Sequence, residues 1–154
     1  MIWEQLDENL IFVELEANNN SDVMQKMGET FIKEGVCKDT YIKALIEREE
    51  EYPTGLNIDG FGVAIPHTSV EHVNEAKIAI ATLKNKVDFI HMGTDNENVE
   101  VDLVVMLAVD NPKKHLSTLQ GMLEILQDKE VLYKMTQVKQ KEDIIQIIKN
   151  KEAM

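Results

Sequence analysis

The sequence predicts an α/β fold: a mixed, partly parallel sheet flanked by helices in a single-domain sandwich. Strand-like runs are interspersed with helical patterns along the chain. The segment from Val99 to Val109 begins by alternation (Val99, Val101, Leu103) and then becomes continuously apolar, as a strand covered on both faces does. No Pro/Gly/Ser-rich linker, low-complexity tract or repeat interrupts the 154 residues, a length ordinary for one domain. One domain over residues 1–154 is therefore expected.

Taken in order, Leu10 to Leu15 (LIFVEL) reads as a short strand. Asn20-Ser21-Asp22 supplies N-cap chemistry, and Val23, Met27 and Phe31 then recur at helical spacing until Gly35. Asp39-Thr40 caps a second helix with Ile42, Leu45 and Ile46 on one face, and Pro53-Thr54-Gly55 ends it. Gly62 to Ile65 is a brief β-prone run stopped by Pro66. Lys77 to Leu83 alternates as a strand, and Val87 to His91 reads as another, so 77–91 resembles a hairpin. Val99 to Val109 should be the centre of the sheet. Asn111-Pro112 sets an N-cap and a proline at the first helical position, and Leu116, Leu119, Leu123 and Leu126 form the expected buried stripe of a long helix. A short segment around Val131 to Met135 and a last helix carrying Ile144, Ile145, Ile147 and Ile148 complete the chain.

A hydrophobic fraction of 44% and a charged fraction of 29% are those of a globular protein. The longest apolar run, Leu103 to Val109, is far short of the about 20 residues a membrane span needs. The acidic start MIWEQLDENL lacks the basic-then-apolar pattern of a secretory signal, and a cytoplasmic location is expected. Twenty-eight acids against sixteen bases give a net charge of −12, which disfavours nucleic acid as ligand and favours a basic protein partner. The lone Cys37 reads as structural. There is no HExxH, no paired-cysteine metal pattern, no P-loop, no GxGxxG and no GxSxG, so neither a metal nor a cofactor is expected.

Chemistry then falls to the histidines and to Arg48, the only arginine. His67 follows Ile65-Pro66 where a strand has just ended, and His115 lies in the first turn of the helix after strand 99–109. Ligands of open α/β sheets gather beyond the carboxyl ends of strands, so these two histidines meet if their strands are parallel neighbours. A helix N-terminus disfavours imidazolium and keeps a ring nitrogen unprotonated, as a phosphoryl acceptor requires. Placement alone also suits a bland reading: a histidine after a strand is commonly a hydrogen-bonded structural residue, and Arg48 could pair with the Glu47-Glu49-Glu50-Glu51 cluster. His72 and His91 read as surface or edge positions.

The run Gly62-Val63-Ala64-Ile65-Pro66-His67-Thr68, preceded by Arg48-Glu49-Glu50-Glu51-Tyr52-Pro53-Thr54-Gly55-Leu56, resembles the active-site region of enzyme IIA domains of the fructose–mannitol family of the phosphoenolpyruvate-dependent phosphotransferase system. The AIPH core is the specific part, and the resemblance extends over nearly the whole chain. It implies an α/β sandwich with a mixed sheet and a phosphotransferase component in which His67 takes phosphate from the histidine phosphocarrier protein and passes it to a cysteine of the cognate enzyme IIB. It implies that Arg48 steadies the phosphoryl group, that His115 supports it, and that Thr54 and Thr68 are candidate phosphate-site contacts. It also implies an indirect partner, a membrane enzyme IIC that chooses the sugar. EYPTGL and the stretch from Asn85 to Leu116 look most like galactitol-type proteins. Two other readings stay open: a regulatory phosphohistidine module that controls a protein partner without sugar transport, and an interaction domain with an inert His67.

Overall fold

The computed structural model describes residues 1–154. Its strands are β1 (Ile11–Leu15), β2 (Gly55–Ile58), β3 (Phe61–Ala64), β4 (Lys77–Ile90) and β5 (Asn98–Ala108). Its helices are α1 (Asn20–Lys33), α2 (Tyr41–Glu51), α3 (Pro112–Leu126), α4 (Lys129–Gln137) and α5 (Lys141–Glu152). The strands form one mixed sheet in the order β1-β4-β5-β3-β2. The β1/β4 and β3/β5 pairs are parallel; β4/β5 and β2/β3 are antiparallel.

Strand β5 lies at the centre, as its composition predicts. Leu103, Val105 and Leu107 enter one apolar core, with Met122, Leu126, Leu132 and Ile148 from α3, α4 and α5. Val104, Met106 and Ala108 enter the other, with Met27, Phe31, Tyr41 and Leu45 from α1 and α2. A strand with a core on each face has no position left for a polar side chain, which is why its sequence ceases to alternate. The helix ends follow their signals. Asn19 accepts from the Asp22 N–H, and Gly35 leaves α1 with φ of 74°. Asn111 caps α3 through the Lys113 and Lys114 N–H groups, ahead of Pro112. No helix is long and apolar enough to cross a membrane.

Four expectations need correction. Residues 77–91 do not form a hairpin: Lys77 to Ile90 is one strand, paired along both halves with β5. A register shift between Thr82 and Val87 marks a bulge, and its exposed Lys84-Asn85-Lys86 imitates a turn in the sequence. Strand β2 was not expected; the chain after Pro53-Thr54 forms a tight hairpin with β3 through Asp59 (φ 52°) and Gly60 (φ 94°). Two left-handed residues are what a two-residue hairpin demands, and Asp-Gly is its characteristic pair. The leucine stripe of α3 fails only at its start: Leu126 is buried, and Leu119 and Leu123 are half-buried against the same core. Leu116 is 58% exposed, whereas Met122, Ile125 and Leu126 are buried. Thr40 precedes α2 without a side-chain cap, and its hydroxyl is instead hydrogen-bonded with His72 Nδ1 at 2.8 Å.

Candidate active site

Strands β3 and β5 run parallel as neighbours, with Val63 opposite Leu103 and Ala64 opposite Val104. Their carboxyl ends therefore open on the same edge of the sheet. The chain beyond β3 stays attached to β5, because Leu107 N–H donates to the Pro66 carbonyl at 3.0 Å. His67 follows at once. His115 enters from the first turn of α3, and the two ring centroids lie 4.7 Å apart with planes inclined at 43°. The meeting that the sequence made conditional on parallel strands is thus present. Arg48, His67, Thr68, Ser69, Val70, Val109, Pro112 and His115 line a cleft of about 280 Å³.

His67 is half-buried and its Nδ1 lies 2.9 Å from the Ile65 carbonyl oxygen. A carbonyl can only accept, so Nδ1 carries the proton and Nε2 of the neutral ring keeps a free lone pair. Burial lowers the His67 pKa; the Ile65 carbonyl partly opposes this, and His115 and Arg48 add to the lowering. The His115 pKa is also lowered, first by burial and then by Arg48. Its Nδ1 is enclosed without a hydrogen-bond partner. Two neutral imidazoles beside one fixed cation suit a phosphoryl group: one ring nitrogen can attack, and the guanidinium can neutralise oxygens.

Arg48 sits at the last turn of α2 and is exposed, with its guanidinium carbon 4.3 Å from the Tyr52 ring centroid. It is not absorbed by the glutamate run. Glu47 faces Lys43 at 4.0 Å, and Glu49 turns inward, only 5% exposed. Helix α2 is held over the sheet by Tyr41, whose buried hydroxyl donates to the Leu107 carbonyl at 2.9 Å. Thr68 lines the cleft and is nearly buried. Thr54 is placed differently from the expectation for a phosphate contact. It is not among the residues that line the cleft, is 4% exposed, and has its one hydroxyl hydrogen engaged by Glu49. His72 and His91 lie outside this cleft, on other partners. Cys37 is buried, and burial pushes its thiol up to about 12, which leaves it inert.

Glu49 is the residue that sequence reasoning missed. Its carboxylate accepts from the Thr54 N–H and the Thr54 hydroxyl, each at 2.8 Å. Burial raises its pKa from the ordinary 4.5 to about 7, against the lowering effect of those two bonds. A signal existed. Tyr41, Leu45 and Glu49 stand at successive i+4 positions, so the helical pattern itself puts a carboxylate on the buried stripe.

A family model described as the EIIA 2 domain of the phosphoenolpyruvate-dependent sugar phosphotransferase system matches residues 4–151. The galactitol-specific EIIA component of Escherichia coli K12 is 35% identical over 114 residues, covering 74% of this chain and 75% of that protein. The mannitol-specific enzyme IIA component of Staphylococcus aureus N315 is 27% identical over 150 residues, 97% of this chain and 99% of that one. Among solved structures, enzyme IIA(Mtl) of Escherichia coli, in complex with phosphorylated enzyme IIB(Mtl), superposes with a TM-score of 0.78 at 20% identity. The match covers 94% of this chain and 97% of that one. The mixed five-stranded sheet with its helices is therefore the enzyme IIA fold, and the chain belongs to the EIIA 2 family of the sugar phosphotransferase system, whose members are phosphotransferase components that carry phosphohistidine.

Proposed function

We propose that this protein accepts a phosphoryl group on Nε2 of His67 from the histidine phosphocarrier protein and passes it to a cysteine of a cognate enzyme IIB in the cytoplasm, serving a membrane enzyme IIC. One observation carries the assignment. His67 has its Nδ1 proton fixed on the Ile65 carbonyl while its ring stands in the cleft with Arg48 and His115. In the transfer, the Nε2 lone pair forms a bond to phosphorus as the phosphorus–nitrogen bond on the carrier breaks, and the carrier imidazole leaves with its electron pair. Positive charge develops on the His67 ring, and the Ile65 carbonyl stabilises it by holding the Nδ1 proton. Arg48 offsets the negative charge on the phosphoryl oxygens, which in a loose transition state are the main charges to be stabilised. Onward transfer reverses the step: a thiolate attacks phosphorus, and His67 leaves as a neutral ring.

The resemblance to the galactitol-specific relative makes galactitol the first sugar to test for the associated transporter. The net charge of −12 suits a basic carrier, since complementary charge speeds encounter more than it deepens affinity. Incubation with phosphoenolpyruvate, enzyme I and the phosphocarrier should place acid-labile phosphate on His67, seen by mass spectrometry, and adding enzyme IIB should discharge it. A stable label that IIB cannot remove would favour the regulatory module; no label on the folded protein would end the phosphocarrier reading.

Replacing Arg48 by alanine should slow acceptance by about 10²–10³-fold, the usual loss for one charge-stabilising group. It should also move the acid limb of the rate profile. The cation disfavours imidazolium at His67 and His115, so its removal raises both pKa values and the rate begins to fall at a higher pH. Rapid-quench rates between pH 5 and 8 measure this (the range is about that of histidine titration). An unmoved acid limb would separate Arg48 from the histidines electrostatically.

A further inference from the structure

A hydrogen-bonded chain leads from the interior to the reacting histidine. The Glu49 carboxylate takes both the N–H and the hydroxyl hydrogen of Thr54. The Thr54 Oγ1 in turn accepts from the Ile65 N–H at 3.1 Å, and the Ile65 carbonyl accepts from His67 Nδ1 at 2.9 Å. Every atom of the first two links is buried. The arrangement answers a gap in the sheet. Gly55 pairs with Ala64 at the last rung of β2/β3, so the next amide of the β3 edge, that of Ile65, has no strand residue across from it. A Thr54 side chain takes the place of the missing backbone.

The position of that amide matters because of Pro66. The peptide that presents the Ile65 carbonyl to His67 is an Ile–Pro bond, which has no N–H and so cannot donate to a ladder acceptor. Its backbone is held from both sides. On the far side Leu107 holds the Pro66 carbonyl. On the near side Ile65 is held by Thr54, and Thr54 by Glu49. Glu49 also neighbours Arg48 in sequence, so the same bonds fasten the end of α2 that carries the guanidinium into the cleft.

We propose that Glu49 and Thr54 are positioning residues for phosphoryl transfer: they fix the Ile65 backbone, whose carbonyl holds His67 in the Nδ1–H tautomer and so keeps Nε2 nucleophilic. This rests on the phosphocarrier reading for its catalytic consequence, but its structural core is independent of it. If the Ile65 carbonyl drifts, the neutral ring is free to place its proton on Nε2, where no lone pair remains for phosphorus. Loss of alignment adds to the penalty, since reacting atoms misplaced by about 1 Å can cost about 10²-fold.

The test uses Thr54→Val, which keeps shape and burial but removes both hydroxyl functions, with Thr54→Ser as the conservative rescue. Nitrogen-15 NMR of the histidine rings in the unphosphorylated protein reads the His67 tautomer directly. Wild type and Thr54→Ser should show Nδ1–H; Thr54→Val should show a mixture, with acceptance slowed about tenfold or more and the half-saturating phosphocarrier concentration unchanged. Glu49→Gln supplies a second variant should Thr54→Val not fold: its amide presents N–H to a Thr54 donor, and an intermediate tautomer shift is expected. A folded Thr54→Val or Glu49→Gln with wild-type tautomer and rate would overturn the proposal. Should wild type take no phosphate, the phosphocarrier reading fails, and the tautomer comparison still decides the positioning role.

Discussion

His67→Ala should take up no phosphate at all while remaining folded. The ring is half-buried and makes one hydrogen bond, to the Ile65 carbonyl, so its loss should cost no more than about 1–2 kcal/mol in urea unfolding. The chemistry has no substitute of equal standing. His115 is the only other imidazole in the cleft, but its Nδ1 lacks the acceptor that would fix a tautomer, and its ring stands 4.7 Å from that of His67. His115→Ala should therefore slow acceptance, by roughly tenfold, without abolishing it. Autoradiography after incubation with labelled phosphoenolpyruvate, enzyme I and phosphocarrier separates these outcomes. Phosphate retained by folded His67→Ala and mapped to His115 would exchange the two roles.

The second large effect concerns folding. Gly62→Ala should destabilise by more than about 4 kcal/mol, enough to leave little folded protein. A Cβ at Gly62 would stand 1.7 Å from the Glu100 carbonyl oxygen, 2.6 Å from its carbon and 2.9 Å from Val101 Cα. All three are backbone atoms of β5, so no side-chain rotation relieves the clash. The only escape is to part β3 from β5, and that pair carries the rungs that bring His67 toward His115. Gly121→Ala is the control. Its Cβ would meet only the flexible end of Ile2 at 3.4 Å in the middle of α3, and helix propensity should make it neutral or stabilising by up to about 1 kcal/mol. Urea midpoints of the two variants test the contrast; a Gly62→Ala protein of wild-type stability would show that β3 and β5 lie farther apart.

Gly62 also explains why the recognisable motif begins where it does. Glycine there meets a requirement of space between two strands, two residues before the AIPH core. Sequence reading placed it in a β-prone run but could not see the neighbouring backbone.

Periodicity and punctuation carried most of the secondary structure. Val23, Met27 and Phe31 recur on one face of α1 and are buried, and Asn111-Pro112 starts α3 where it should. Loss of alternation after Leu103 revealed a strand with a core on each face. These are local signals, because each depends on which side of one element meets water. His67 and Arg48 were legible through their motif, and His115 through its place after the central strand. What the sequence could not supply was anything set by pairing. Whether 77–91 folds back or runs on depends on β5 lying beside it. Where the α3 stripe falls depends on the surface beneath it, which leaves Leu116 outside. The order β1-β4-β5-β3-β2 makes β3 and β5 parallel neighbours, and only that makes two histidines 48 residues apart in sequence share a cleft. Glu49 shows the same division within one turn of helix. Its spacing placed it on the buried face, but only the tertiary structure gave it Thr54, and through Thr54 the backbone of the histidine loop, because a buried carboxylate must find donors wherever the fold brings them.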